Sequence, residues 1–249
     1  MLSLIGLGLH DEKDVTLKGI EAAKKCGRVY AELYTSPWQG SLKALEKSIG
    51  KKIVTLQRYD LEEGSKKLID ESEKQDIALF VSGDPLVATT HSSLITDARK
   101  RGVEVRIIHS SSVFSAIAET GLHIYKFGKT ATIAYPEDNF YPKTPYKVLA
   151  KNLKEGAHTI LLLDVKSEKN LYMTVGEAIG IMLDIEGMEK KGVFTRDTNC
   201  LGVARLGGNT LIGYGTAEEL RKKSFGSPPH VLIVPGKLHF SEEEYLENL

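Results

Sequence analysis

Short apolar runs alternate along the chain with longer amphipathic stretches, the pattern of an α/β protein. Leu2-Ser-Leu-Ile-Gly6 reads as a strand ending in glycines. A helix is expected from about Asp14, whose side chain is placed to cap it, with Leu17 and Ile20 on an apolar face and Glu21 and Lys24 on a charged one. Residues 28–33 read as a strand, 42–49 as a helix and 53–56 as a short strand. Residues 60–74 read as one charged amphipathic helix turning Leu61, Leu68 and Ile69 inward. Ile77-Ala-Leu-Phe-Val81 is a continuous apolar run, the mark of a strand buried on both faces. A helix over 91–100 and a strand over 103–108 complete this half.

A second half begins near Phe114, with strands expected at 131–134, 159–163, 201–204 and 231–234 and helices at 145–153 and 175–189. The proline-bearing stretch 136–142 reads as a loop, and with Tyr135 it carries three aromatics. There is no heptad pattern, fixed-period repeat or low-complexity segment. Two α/β domains, 1–111 and 112–249, are the simplest architecture.

A length of 249 residues suits one large domain or two small ones. Thirty-three basic side chains balance thirty-three acidic ones, which argues against a nucleic-acid binder working through a global basic field. Cys26 and Cys200 are too few for a disulfide framework or a four-cysteine zinc site. The opening apolar stretch 2–9 lacks a basic flank and is too short for a signal peptide or a membrane span, so a cytoplasmic protein with no membrane partner is expected.

Three glycine-bearing segments could carry chemistry. In Gly6-Leu-Gly8-Leu9-His10-Asp11, Asp11 stands where a dinucleotide fingerprint needs its third glycine, and its charge would repel a pyrophosphate. What remains is a strand-to-helix turn that either only turns the chain or also lines a ligand. Gly128-Lys129-Thr130 looks like the end of a phosphate loop, yet His123 occupies the first glycine position and the segment precedes a strand, so it reads as a turn. The loop 82–90, Ser-Gly-Asp-Pro-Leu-Val-Ala-Thr-Thr, follows the buried strand, where open α/β sheets bind ligands. There Asp84 either accepts hydrogen bonds from a ligand or shapes the turn before a helix capped by Thr89 or Thr90. Histidines 10, 91, 109, 123, 158, 230 and 239 show no metal-ligand spacing, and no serine elbow or activated cysteine is evident. Glu242, Glu243, Glu244 and the Lys/Glu-rich helix near residue 70 read as solvated faces.

Gly6-Leu-Gly8-Leu9, the loop from Ser82 to His91, Gly121-Leu-His-Ile-Tyr-Lys-Phe-Gly-Lys129, Tyr172-Met-Thr174, Gly192-Val-Phe-Thr195 and Pro228-Pro-His-Val-Leu-Ile-Val-Pro-Gly-Lys-Leu-His239 together resemble the diphthine synthase family, within the tetrapyrrole-methylase class of S-adenosylmethionine enzymes. The Gly-Asp-Pro turn is common to the class, whereas the segments 121–129 and 228–239 are narrower. The resemblance implies two α/β domains with the cofactor cleft between them, usually in a homodimer. It implies methylation of the amino group of an aminocarboxypropyl chain on a histidine of translation elongation factor 2, giving diphthine. Carried over by motif, the cofactor-lining positions are Leu9, Asp84, Val87, Ser112, Val113, Leu163, Leu206 and His230, with no metal.

No catalytic residue is assigned; His10, His109 and Asp84 are possible proton acceptors. The aromatic loop 135–141 is expected to border the substrate entrance, its rings and the acids Glu137 and Asp138 attracting the cationic products. Two other readings stay open: a tetrapyrrole or ribosomal RNA methyltransferase of the same class, and a nucleotide-binding module without chemistry.

Overall fold

Five parallel strands build the first sheet, and their order explains where a ligand can sit. The computed structural model describes residues 1–137 and 140–249, in two units, Met1–Ala116 and Ile117–Leu249. The segment 112–116 separates this division from the one expected from the sequence.

The first unit runs β1 (Leu2–Gly6), α1 (Leu17–Lys25), β2 (Arg28–Glu32), α2 (Leu42–Ile49), β3 (Ile53–Leu56), α3 (Arg58–Glu62), α4 (Ser65–Ser72), β4 (Ile77–Val81), α5 (His91–Lys100), β5 (Val105–Ile108) and α6 (Val113–Ala116). The strands lie in the order β3-β2-β4-β1-β5. Ile77, Leu79 and Val81 face α3, α4 and α5 through Leu61, Leu68, Ile69 and Leu94. Ala78 and Phe80 face α1 and α2 through Ala22, Ala23, Leu45 and Ile49. Helices on both faces are why 77–81 reads as unbroken apolar sequence. Each fully buried Leu, Ile or Phe side chain contributes about 1.5–3 kcal/mol.

Two expectations for this unit are corrected. The first helix starts at Leu17 and is capped by Thr16, whose Oγ1 accepts from the Gly19 N–H at 3.1 Å. Asp14 instead accepts from the His10 N–H at 2.7 Å, bracing the turn before the helix. The stretch 60–74 is two helices broken at Gly64, although Leu61, Leu68 and Ile69 do point inward.

The second unit runs β6 (Ala131–Ile133), α7 (Thr144–Lys154), β7 (Thr159–Leu163), β8 (Val165–Lys166), β9 (Leu171–Tyr172), α8 (Val175–Glu189), β10 (Asn199–Ala204), β11 (Leu211–Thr216), α9 (Ala217–Lys222), β12 (His230–Val234) and α10 (Phe240–Glu247). Its main sheet has the order β11-β10-β12-β7-β6. Only β6 and β7 are parallel; the other neighbours are antiparallel. The expected α/β class is therefore present as one parallel and one mixed sheet.

Strand β11 was not expected, because Leu-Ile-Gly-Tyr-Gly-Thr has two glycines that depress strand propensity. Gly213 pairs with Gly202 across β10, and the Phe225 ring fills the space: a Cβ on Gly202 would meet Phe225 Cζ at 2.4 Å.

Glu242 is a further correction. Far from being solvated, it is fully buried. It accepts from the backbone N–H groups of His123 and His239, both at 2.8 Å, from His158 Nε2 at 3.0 Å and from the Lys126 ammonium. Glu243 and Glu244 are exposed, as expected. Among the described residues no helix is long and apolar enough to cross a membrane.

Candidate functional site

In the first sheet the chain leaving β1 crosses β4 to reach β2, and the chain leaving β4 crosses β1 to reach β5. The two connections run in opposite directions and pack on opposite faces of the sheet, so the carboxyl ends of β4 and β1 flank a topological switch point, where open α/β sheets leave a crevice. The loops after β4, β1 and β5 meet there.

Gly8 and Gly83 join the first two loops: Gly8 N–H donates to Gly83 O at 3.1 Å and Gly83 N–H donates to Gly8 O at 3.0 Å. Both have positive φ, +80° and +67°, a region costly for residues with a Cβ. Gly6 is needed for close approach, since a Cβ there would lie 2.6 Å from both Gly83 O and Ser110 Cβ. The glycines set loop packing, which is what the Gly6-x-Gly8 pattern encodes.

Asp84, only 5% exposed, ties the turn to the loop after β5. Its Oδ1 accepts from Leu86 N–H at 3.0 Å. Its Oδ2 lies 2.8 Å from His109 Nδ1 and accepts from Ser110 N–H at 3.2 Å. Ser110 Oγ in turn donates to Asp14 O at 3.2 Å. Neither Thr89 nor Thr90 caps α5 through its side chain; Thr89 Oγ1 donates to Pro85 O at 2.9 Å.

Five of the positions carried over from the family lie in this region. Leu9 follows the Gly8 bridge and is half-buried. Val87 donates its N–H to Asp84 O at 3.2 Å and keeps its side chain partly accessible. Ser112 is buried and starts the turn into α6, and Val113 is the first residue of that helix. Of the possible proton acceptors, His109 joins Asp84 directly, while His10 is held through its backbone to Asp14 and Gln39.

The remaining three lie in the second unit, at one end of three adjacent strands. The register pairs His230 with Ala204, and Val231 with Leu162, so the ends of β10 and β7 fall beside the start of β12. Leu163 closes β7, Leu206 lies just past β10, and His230 opens β12. The His230 Nδ1 accepts from Val175 N–H at 3.4 Å and Nε2 donates to Ser227 O at 3.1 Å, the pattern of a neutral ring. Burial lowers its pKa in keeping with that pattern.

In the aromatic loop, Tyr141 packs against the core of the second unit and Phe140 is 70% exposed. Glu137 is engaged by Lys166, whose ammonium also lies 5.9 Å from the Tyr135 ring centre. Asp138 lies outside the described residues. Among the described residues no group of three or more His, Cys, Asp or Glu could hold a metal ion.

The donor set around Gly83 suits an adenosyl-amino-acid ligand. A Cβ on Gly83 would meet only Ser112 Cβ, at 4.0 Å, so the glycine leaves open space. The buried Ser82 Oγ beside it has no hydrogen-bond partner, the kind of group that invites a ligand. Partly accessible Leu9, Val87 and Val113 offer apolar surface. Sequence reasoning missed Asp14 and Ser110 as braces, because their contact joins residues 96 positions apart.

Fold and sequence agree on the class: the chain belongs to the family of tetrapyrrole (corrin/porphyrin) methylases, whose model matches residues 1–209. Within that class, diphthine synthases are among its full-length relatives. It is 45% identical to the diphthine synthase of Methanocaldococcus jannaschii and 46% identical to that of Methanococcus maripaludis, covering all of this chain and 98% of each relative. A crystal structure of diphthine synthase superimposes with a TM-score of 0.91 at 39% identity, over 99% of this chain and 94% of that one. The chain is thus a methyltransferase of the diphthine synthase type, serving diphthamide biosynthesis.

Proposed function

We propose that the protein uses S-adenosylmethionine to methylate the amino group of an aminocarboxypropyl-histidine on translation elongation factor 2, acting in the cytoplasm as a homodimer. The observation that carries this reading is end-to-end similarity to diphthine synthases at 45% identity. The convergence of three strand-end loops around Gly8, Gly83 and Asp84 supports it.

When bound, the sulfonium supplies a methyl group open to in-line displacement by an amine. The protein's part is to hold nitrogen and methyl carbon aligned, worth roughly 7–11 kcal/mol when the geometry is near-attack. The Gly8–Gly83 pair and the Asp84 strap fix the loops that would hold the donor. The attacking amine must be neutral, and a dry site lowers its pKa. His109 is the best placed proton acceptor: with Nδ1–H donated to Asp84, its Nε2 lone pair is free, on a side chain that is 69% exposed.

The test supplies labelled S-adenosylmethionine with elongation factor 2 that either bears or lacks the aminocarboxypropyl group. Transfer of label only to the modified factor is expected. Transfer to a tetrapyrrole or to ribosomal RNA instead, or no transfer, would reject the reading. Sedimentation at micromolar concentration tests the dimer.

A further inference from the structure

Arg205 is the first residue past β10 and sits between two of the positions carried over from the family. Leu206 follows it in the chain, and His230 pairs with Ala204 just before it. Its φ is +52°, a left-handed conformation that is costly for a residue with a Cβ and that glycine adopts freely. The main chain holds it there. Arg205 N–H donates to Pro229 O at 2.9 Å, and its carbonyl accepts from Gly208 N–H at 3.1 Å and from Thr210 Oγ1 at 3.4 Å. Those bonds are open to any residue type, so an arginine where glycine would be unstrained directs attention to what its side chain reaches.

The guanidinium reaches the loop that leads into β12. Arg205 Nη1 donates to Phe225 O and to Ser227 O, each at 2.6 Å, and a charged donor makes such bonds stronger than neutral ones. Phe225 is anchored by its ring, which packs over Gly202 in the core of this unit. Gly226 and Ser227 after it are exposed, beyond the grip of apolar packing. The contact is tight, since a Cβ on Gly226 would lie 3.0 Å from Arg205 Nη1. Ser227 O is shared: His230 Nε2 donates to it at 3.1 Å, while Val175 N–H donates to His230 Nδ1 at 3.4 Å. One carbonyl therefore joins the Arg205 cation to the His230 ring and helps fix which ring nitrogen carries the proton.

We infer that Arg205 is a positioning residue for the cofactor, its guanidinium holding residues 225–229 in place and so setting His230 beside Leu206. The inference rests on the reading of Leu206 and His230 as lining S-adenosylmethionine. Arg205 acts through the loop, not on the reacting atoms. With its side chain removed, the bond from Arg205 N–H to Pro229 O still closes the base of the loop, but the stretch at Gly226 and Ser227 loses its charged anchor. The loop then samples several positions, and a fraction of the molecules present His230 as the wild type does.

Calorimetric titration of S-adenosylhomocysteine into wild type, Arg205→Ala, Arg205→Gln and Arg205→Lys, with melting curves and nitrogen NMR spectra of the histidine rings, tests this. If the loop keeps its wild-type position about one-tenth of the time, the Ala and Gln variants bind about tenfold more weakly. Lysine keeps the charge and three donors on a shorter stem, so Arg205→Lys should recover part of the loss. Millimolar guanidinium chloride should restore affinity to Arg205→Ala and leave the wild type unchanged. The His230 ring should pass from one Nε2–H tautomer to a mixture in the Ala and Gln variants. Wild-type affinity in either folded variant would overturn the inference, and so would weaker binding with the His230 tautomer unchanged. A loss of affinity that only tracks melting temperature would do the same, if Tyr146→Phe, which gives up a hydrogen bond to Glu186 elsewhere in the unit, reproduces it. Wild type that binds no S-adenosylhomocysteine would refute the reading of the site itself, and this inference with it.

Discussion

Asp84 Oδ2 and His109 Nδ1 lie 2.8 Å apart although β1 stands between their strands. The contact passes across the carboxyl end of the central strand and makes one unit of the loops after β4 and β5. A carboxylate used in this way orders the site as well as facing it.

Removing that strap should therefore have two effects. Asp84→Ala leaves the Leu86 and Ser110 amides without their acceptor and is expected to lower stability by about 1–3 kcal/mol. Asp84→Asn keeps one acceptor oxygen and should lose less stability, while weakening the hold on His109. Thermal melts combined with S-adenosylmethionine titrations separate the two, and an Ala variant as stable as wild type would deny Asp84 its structural part.

The two bridging glycines should respond differently to an added methyl group. At Gly8 a Cβ would fall 2.3 Å from Asp14 Cβ, so Gly8→Ala must displace the Asp14 brace as well as strain the backbone. At Gly83 there is room, and Gly83→Ala should cost only the left-handed strain of about 1–2 kcal/mol. Chemical denaturation is expected to rank Gly8→Ala as the more damaging change; the reverse order would mean the loops can part easily.

Glu242 predicts an acid limit for the second unit. Burial alone would push its carboxyl up, but Lys126, the amides of His123 and His239, and His158 outweigh that and hold it at about 2, below the ordinary glutamate value of 4.5. A depressed folded-state pKa contributes stability that is present above pH 4.5 and lost as pH falls from there toward 2. Glu242→Ala, by leaving Lys126 and His158 uncompensated, should cost about 3 kcal/mol at neutral pH and remove that acid dependence. Melting temperature against pH for the two proteins measures both.

The aromatic loop divides into an anchor and a free ring. Tyr141→Ala should lower the melting temperature, because Tyr141 packs on the core. Phe140→Ala, at a ring that is 70% exposed, should change stability by no more than about 0.5 kcal/mol. If Phe140 meets the cationic product, methylation of the modified factor slows in that variant while cofactor affinity stays put. Unchanged turnover would leave Phe140 without a substrate role.

What the sequence revealed and what it hid follow from the range of the forces involved. The run 77–81 was readable as a doubly buried strand because burial writes itself into consecutive residues, and the Gly-Asp-Pro turn was placed by following it. The start of α1 was misread by two residues because Asp14 and Thr16 both suit a cap; a brace to His10, set by the turn, decided between them. Glu242 looked like part of an acidic surface run because its partners His123 and Lys126 lie 119 and 116 residues earlier. Strand β11 was hidden by glycines whose missing side chains are replaced by Phe225. For Glu242 and β11 the deciding contact is set by the tertiary fold, beyond the reach of periodicity or propensity, whereas at α1 it is a local brace only four residues long.

The order β11-β10-β12-β7-β6 also bears on how the protein is made. The middle strand of that sheet, β12, is the last of its strands to leave the ribosome. Until Val231 to Val234 emerge, β10 and β7 have no common neighbour, and the nascent second unit exposes two unfinished strand edges. The first unit's sheet is finished at Ile108, more than a hundred residues earlier. At elongation rates of about 5–20 residues per second, that interval is on the order of ten seconds. The first unit thus has time to fold while the second still waits for its keystone strand, which makes that waiting stretch the part of biosynthesis most dependent on chaperone shelter.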